Sequence, residues 1–186
     1  MPLLAHAADS NGAGEGYSKR ASPAGWEAVL TRHPNLRLNL AHFGGFDEPT
    51  GEPWEIATGN LMARFPNVFA DLSYLSESLP SASPPRRAGV AEQIRAFLAR
   101  FEVADRRLVY GSDWIMLGRE ADHQRYFESV KTLLGRAGVT PAQWANMSRT
   151  NALRLYGLRA GEPGRLRLEA WYRKMGLDQN ALAQFG

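Results

Sequence analysis

Two histidines and one aspartate hold comparable places in this chain, each at the end of a short apolar run and just before a break. His6 ends Pro2-Leu3-Leu4-Ala5, and His42 ends Leu36–Ala41 and precedes Gly44-Gly45. Asp113 follows Arg107–Tyr110 (RLVY) and the pair Gly111-Ser112, with Trp114 behind it. Imidazole nitrogen and carboxylate oxygen are the donors that Zn²⁺ or a similar divalent ion takes. An ion held with one open position lowers the pKa of its bound water to about 7. Each residue also has a plainer reading. Asp113 could be a helix N-cap, since a carboxylate at a buried strand exit is costly unless a cation, a proton or hydrogen bonds compensate it. A single strand-end histidine is usually a hydrogen-bonded structural residue. What points to chemistry is the set of three on three strands. The other two histidines, His33 before Pro34 and His123 in a first helical turn, sit where capping or packing explains them.

The elements that must position this set follow from periodicity. Pro2–Ala7, Leu36–His42, Val68–Ser73 and the run from Arg107 to Asp113 read as strands; Leu36, Leu38 and Leu40 alternate with Arg37, Asn39 and Ala41. Helical spacing predicts helices over Pro23–His33, Trp54–Phe65, Gly89–Phe101, Asp122–Ala137 and Arg149–Tyr156. Ser22 and Pro23 mark the start of the first, Thr140-Pro141-Ala142-Gln143 has the form of a capping box, and Gly157 suits a C-terminal cap. Pro163–Met175 reads as an amphipathic helix with Leu168, Trp171, Tyr172 and Met175 on one side. Strands alternating with amphipathic helices imply parallel βαβ units. Helix-to-strand links are minimal (Pro34-Asn35, Pro66-Asn67), whereas the strand-to-helix loops Ala8–Ser22, Phe43–Pro53 and Tyr74–Ala88 are long. In parallel α/β folds the ligand site lies beyond the strands' C-terminal ends, where His6, His42, Asp71, Ser73 and Asp113 stand.

Bulk composition narrows the classes. The chain has 186 residues, 44% hydrophobic and 22% charged, with a net charge of +3 and no cysteine. That is one domain's length, with enough apolar content for a core. Disulfides and thiolate metal sites are excluded, so a metal must be held by His, Asp or Glu. The pI near 9.4 comes from scattered arginines, Arg86-Arg87 and Arg165–Lys174 apart, and no aromatic-basic stripe accompanies them; nucleic acid is not the expected partner. Neither a signal peptide nor an 18-residue apolar run is present, so membrane association is not expected and the cytoplasm is the expected location.

In order along residues 1 to about 158, five pieces of this chain resemble the amidohydrolase-related TIM-barrel family, the branch with amidohydrolases, lactone hydrolases and non-oxidative decarboxylases. They are Pro2–His6, His33–Leu36 leading to Leu40–Gly45, Pro66–Ser73, Arg107–Trp114 and Asn151–Leu158. The resemblance implies an incomplete (β/α)8 barrel, approximately strands 5 to 8 with their helices plus extra C-terminal helices. Residues 1–158 would be the C-terminal half of the barrel and 159–186 a helical tail. His6 then matches the strand-5 metal ligand, and His42 the strand-6 histidine that activates water or handles protons. Asp113 matches the strand-8 aspartate, ligand and proton shuttle together. Asp71 and Ser73 match no chemical position and read as strand-end hydrogen-bonders. The family's strand-1 His-x-His pair is absent, as are strands 1 to 4.

The expected function is metal-dependent hydrolysis of an amide or lactone, with His6 and Asp113 on a divalent ion, expected to be Zn²⁺, and Asp113 and His42 catalytic. The substrate is a small molecule; Phe43, Phe46, Trp114 and Arg119 suggest an aromatic-lined mouth with an anion-binding option. Non-oxidative decarboxylation on the same metal is the close alternative. A non-catalytic half-barrel acting through oligomerisation is the alternative of another class. Starting inside a strand is expected of a piece of a longer chain; the remaining half would come from missing N-terminal residues or from a second copy.

Overall fold

The structure, a computed structural model, describes residues 1–8, 20–44 and 53–183. The loop expected at 8–22, the second glycine of Gly44-Gly45 and Phe46 fall wholly or mostly outside the described residues. Four strands form one sheet: β1 (Leu3–His6), β2 (Leu38–Ala41), β3 (Val68–Asp71) and β4 (Leu108–Val109). Their order is sequential and every pairing is parallel. Between them run α1 (Trp26–Arg32), α2 (Trp54–Arg64) and α3 (Pro84–Arg100). After β4 come α4 (Trp114–Leu117), α5 (Tyr126–Arg136), α6 (Pro141–Ala145), a π-helical turn over Asn146–Thr150, α7 (Asn151–Tyr156), α8 (Pro163–Lys174) and α9 (Asn180–Ala183). No helix among the described residues is long and apolar enough to cross a membrane.

The register assigns the two faces of the sheet. Leu3 pairs with Leu38, Leu38 with Val68, Leu40 with Ala70 and Ala70 with Leu108, so these side chains share a face. That face builds the main core with Leu30, Met62, Ile94, Phe97, Val130, Leu133 and Leu134 from the helices. The other face carries Leu4, His6, Asn39, Ala41, Phe69, Asp71 and Val109, by the pairings Leu4–Asn39, His6–Ala41, Asn39–Phe69 and Asp71–Val109. Of these, Phe69 and Val109 pack against Leu155 and Ala152 of α7. All the chemistry-bearing strand residues lie on this second face.

Burial falls sharply toward one edge. β2 and β3 are buried along their whole length, whereas β1 exposes Leu3 at 41% and Leu4 at 65%. The alternation of Leu36–His42 is therefore not a polar solvent face: Asn39 is as buried as its leucine neighbours, as an interior parallel strand requires.

Several element ends differ from expectation by a few residues, and three of them show why. α3 begins at Pro84, five residues before Gly89, because proline is tolerated in a first turn and Ser83 supplies the extended N-cap backbone. β4 stops at Val109 because Tyr110 N–H turns to Met147 O at 2.8 Å instead of continuing the ladder. The first helix opens with a 3₁₀ turn, Pro23–Gly25, with no side-chain cap from Ser22. The Thr140–Gln143 capping box and the left-handed Gly157 cap both form. Pro163–Met175 is helical as expected, yet Trp171 and Met175 stay exposed; the helix is anchored by Arg165, buried and paired with Glu169 at 2.6 Å. Arg86 bonds Glu77 at 2.9 Å, and Arg87 reaches the carbonyls of Leu79 and Pro80, so that basic pair braces the loop after β3.

Candidate active site

At the C-terminal ends of the strands the backbone leaves its favoured regions. The non-glycine residues with positive φ among those described are His42 (64°), Phe43 (54°), Tyr74 (54°) and Asp113 (49°), all just past β2, β3 or β4. Such conformations cost about 1–3 kcal/mol each and persist where surrounding structure over-determines them. Asp113 occupies the N-cap position of α4, but its side chain makes no capping hydrogen bond. The N-cap explanation for this carboxylate is not used.

His6 and His42 come together: their rings meet edge to face, with centroids 4.9 Å apart. His6 lies on the exposed edge strand, but its ring is partly desolvated. That desolvation and the neighbouring His42 lower the His6 pKa, while the Asp113 carboxylate opposes them by raising it. At neutral pH His6 is thereby biased to the neutral imidazole, the form that binds metal or accepts a proton. The Asp113 carboxylate is thus within electrostatic reach of His6 but forms no hydrogen bond among the described residues, whereas its backbone carbonyl accepts from Leu117 N–H at 2.9 Å. His33 stands exposed at the end of α1, and His123 Nδ1 pairs with Glu120 O at 2.8 Å; neither joins the site.

The most heavily hydrogen-bonded part of the site was not assigned chemistry by the sequence. Asp71, 7% exposed, accepts at Oδ1 from the His42 N–H and the Ser73 N–H, each at 3.1 Å, and from the Ser73 hydroxyl. Its Oδ2 accepts from Asn39 Nδ2 at 2.7 Å. The reverse orientation of Asn39 would set an amide oxygen against a carboxylate. Ser73 Oγ lies 3.0 Å and Ser73 O 3.2 Å from His42 Nδ1. Asp71 and Ser73 are strand-end hydrogen-bonders, as expected, and His42 is what they hold. A buried Asn39 in an interior strand and Asp71-x-Ser73 at the next strand's exit were the available signals. Gly111 makes room: a Cβ there would sit 3.0 Å from Ser73 Cβ and 3.4 Å from Asp71 Cβ. Tyr74, next in line, donates to Glu120 at 2.7 Å, and that bond raises its pKa to about 12.

The donors present suit a divalent ion in kind but not in number. Among the described residues no group of three His, Asp or Glu side chains is placed to hold a metal, whereas zinc sites take three or four protein ligands. His6 and Asp113 therefore supply part of a donor set. Of the other residues expected around the mouth, Phe43 is buried in the core, while Trp114 is 76% exposed beside Asp113 and Arg119 is exposed in the turn after α4.

A four-stranded parallel sheet with most of its helices over one face, and its functional side chains on the other, is half of a (β/α)8 barrel. Solved structures agree. The chain is similar to amidohydrolase 2 from Bifidobacterium longum subsp. infantis (14% identity, TM-score 0.51, 84% of this chain and 50% of that one). It is also similar to an uncharacterized TIM-barrel protein from Bordetella bronchiseptica (19% identity, TM-score 0.53, 83% and 45%). The chain spans about half the length of these structures. The family model for amidohydrolases matches residues 20–158, and the chain belongs to that family. No curated protein matches it.

Proposed function

We propose that this chain carries the C-terminal half of a metal-dependent hydrolase site acting on an amide or lactone carbonyl of a small molecule. The observation that carries the reading is the contact of His6 with a braced His42, with the Asp113 carboxylate, which has no hydrogen-bond partner among the described residues, within electrostatic reach of His6. A bound divalent ion, proposed as Zn²⁺, supplies a water of pKa about 7. His6 and Asp113 would be this chain's donors to it, and any further ligands would come from outside the described residues. Asp113 accepts a proton from the attacking water and returns it to the leaving group. His42 polarises the carbonyl or assists that base.

Non-oxidative decarboxylation is the nearest alternative and differs by product. The short donor set and the exposed Leu3 and Leu4 favour one reading of another class, a non-catalytic half-barrel that acts by assembling with a further half. All three are separated by supplying zinc to the chain with a panel of lactones, anilides and aromatic acids, and measuring released acid and CO₂. Acid release that falls about 10²–10⁴-fold in Asp113→Asn is the expected result. CO₂ as the product makes the protein a decarboxylase. Neither product from any substrate overturns the enzymatic reading of this chain.

A further inference from the structure

We propose that Asp71 and Ser73 are positioning residues that hold neutral His42 as the Nδ1–H tautomer and leave Nε2 as its basic nitrogen. The tautomer follows from where protons can go. Four donors converge on Asp71, which an ionised carboxylate satisfies with its two acceptor oxygens. Asp71 can therefore only accept, and the single hydroxyl proton of Ser73 is committed to it. That leaves Ser73 Oγ facing His42 Nδ1, 3.0 Å away, with a lone pair. A lone pair there is satisfied only if Nδ1 carries the proton. The backbone adds to the same demand from farther away: Ser73 O, which has no proton to give, lies 3.2 Å from the same nitrogen, so the closer hydroxyl is the deciding acceptor.

The arrangement is rigid as well as directional. Asp71 holds both the His42 and the Ser73 backbone N–H, so the two residues past β2 and β3 are tied to one buried carboxylate. Asn39 holds that carboxylate at its other oxygen, and Gly111 lets the backbone just past β4 lie against it without a Cβ in the way. No hydrogen bond from the described residues reaches His42 Nε2, which stands on the ring in edge-to-face contact with His6. The orientation of a histidine by a hydrogen bond to its other ring nitrogen is what lets that histidine act as a base or ligand.

The use made of Nε2 rests on the hydrolase reading; the tautomer does not. The test is ¹⁵N NMR of the histidine rings of the full chain, which has four histidines, at a pH where His42 is neutral and with its signals assigned by their loss in His42→Gln. The expected spectrum has a protonated Nδ1 and a bare Nε2, the reverse of the tautomer favoured by free histidine. Ser73→Ala deletes the hydroxyl but keeps the backbone acceptor, so a mixture of tautomers is expected, and Ser73→Thr restores the single form. If the assay above finds turnover, Ser73→Ala lowers kcat about 10- to 100-fold with KM little changed. An Nε2–H ring in the unmutated chain overturns the proposal, as does a tautomer untouched by Ser73→Ala. Absence of turnover with the Nδ1–H form intact overturns the hydrolase reading alone.

Discussion

The exits of β2 and β3 and the exit of β1 hold two histidines whose rings touch, yet the surroundings of the two could hardly differ more. His42 rests on Asp71, Ser73 and, through Asp71, on Asn39, within strands buried along their length. His6 stands on an edge strand with exposed Leu3 and Leu4, its ring without a hydrogen bond among the described residues and subject to partial burial and to the fields of His42 and Asp113. One half of the site is organised by this chain's own interior. The other has the right chemistry and lacks the packing that would fix it. Preorganisation depends on the second layer of contacts as much as on the reacting groups, and here that layer is present on one side only.

This contrast can be broken most forcefully at its centre. Asp71→Ala would leave the Asn39 amide, two backbone N–H groups and the Ser73 hydroxyl without their acceptor. Urea denaturation is expected to show a loss of about 3 kcal/mol or more; a loss below 1 kcal/mol would mean that water replaces the carboxylate and the centre is not organised as described. Gly111→Ala asks the same question through sterics. Its Cβ would press on Ser73 Cβ at 3.0 Å, and a loss of about 1–2 kcal/mol is expected. At the edge the expectation reverses: Leu4→Ser should change stability by less than about 0.5 kcal/mol, because Leu4 is already 65% exposed. A large loss there would show that something covers β1.

The smallest effect sharpens the comparison without perturbing the fold. The His6 pKa is lowered by burial and then by His42, and raised by Asp113. Followed by NMR, the His6 titration should move up in His42→Ala and down in Asp113→Asn. The linkage has a definite sign. A histidine whose folded pKa lies below its unfolded value binds more protons when unfolded, so its contribution is intact above the unfolded pKa of about 6.5 and is lost as pH falls through the folded pKa. His42→Ala should therefore reduce the acid-side loss of stability that His6 causes.

Much of this could be read before the structure because the signals were local. Pro34-Asn35 and Pro66-Asn67 end their helices, Thr140 and Gln143 cap reciprocally, and Gly157 adopts its left-handed conformation. The parallel sheet followed from alternation of element types. What stayed hidden was non-local. Asn39 looked like the polar side of an alternating strand, and only β3 lying beside β2 makes it a partner of Asp71. The early start of α3 depended on whether Pro84 would begin a helix or end a loop, and its sequence allows both. The approach of His6 to His42 was foreseeable from their strand positions, whereas the Asp71–Ser73 bracing required knowing which atoms face each other across two strand ends.

Direct titration of zinc into the chain by calorimetry tests the central division of labour, with His6 and Asp113 as donors and His42 as a braced base. The account predicts binding that disappears in His6→Ala and in Asp113→Ala and survives in His42→Ala. Binding unchanged by His6→Ala and Asp113→Ala, or none in the unmutated chain, would contradict it.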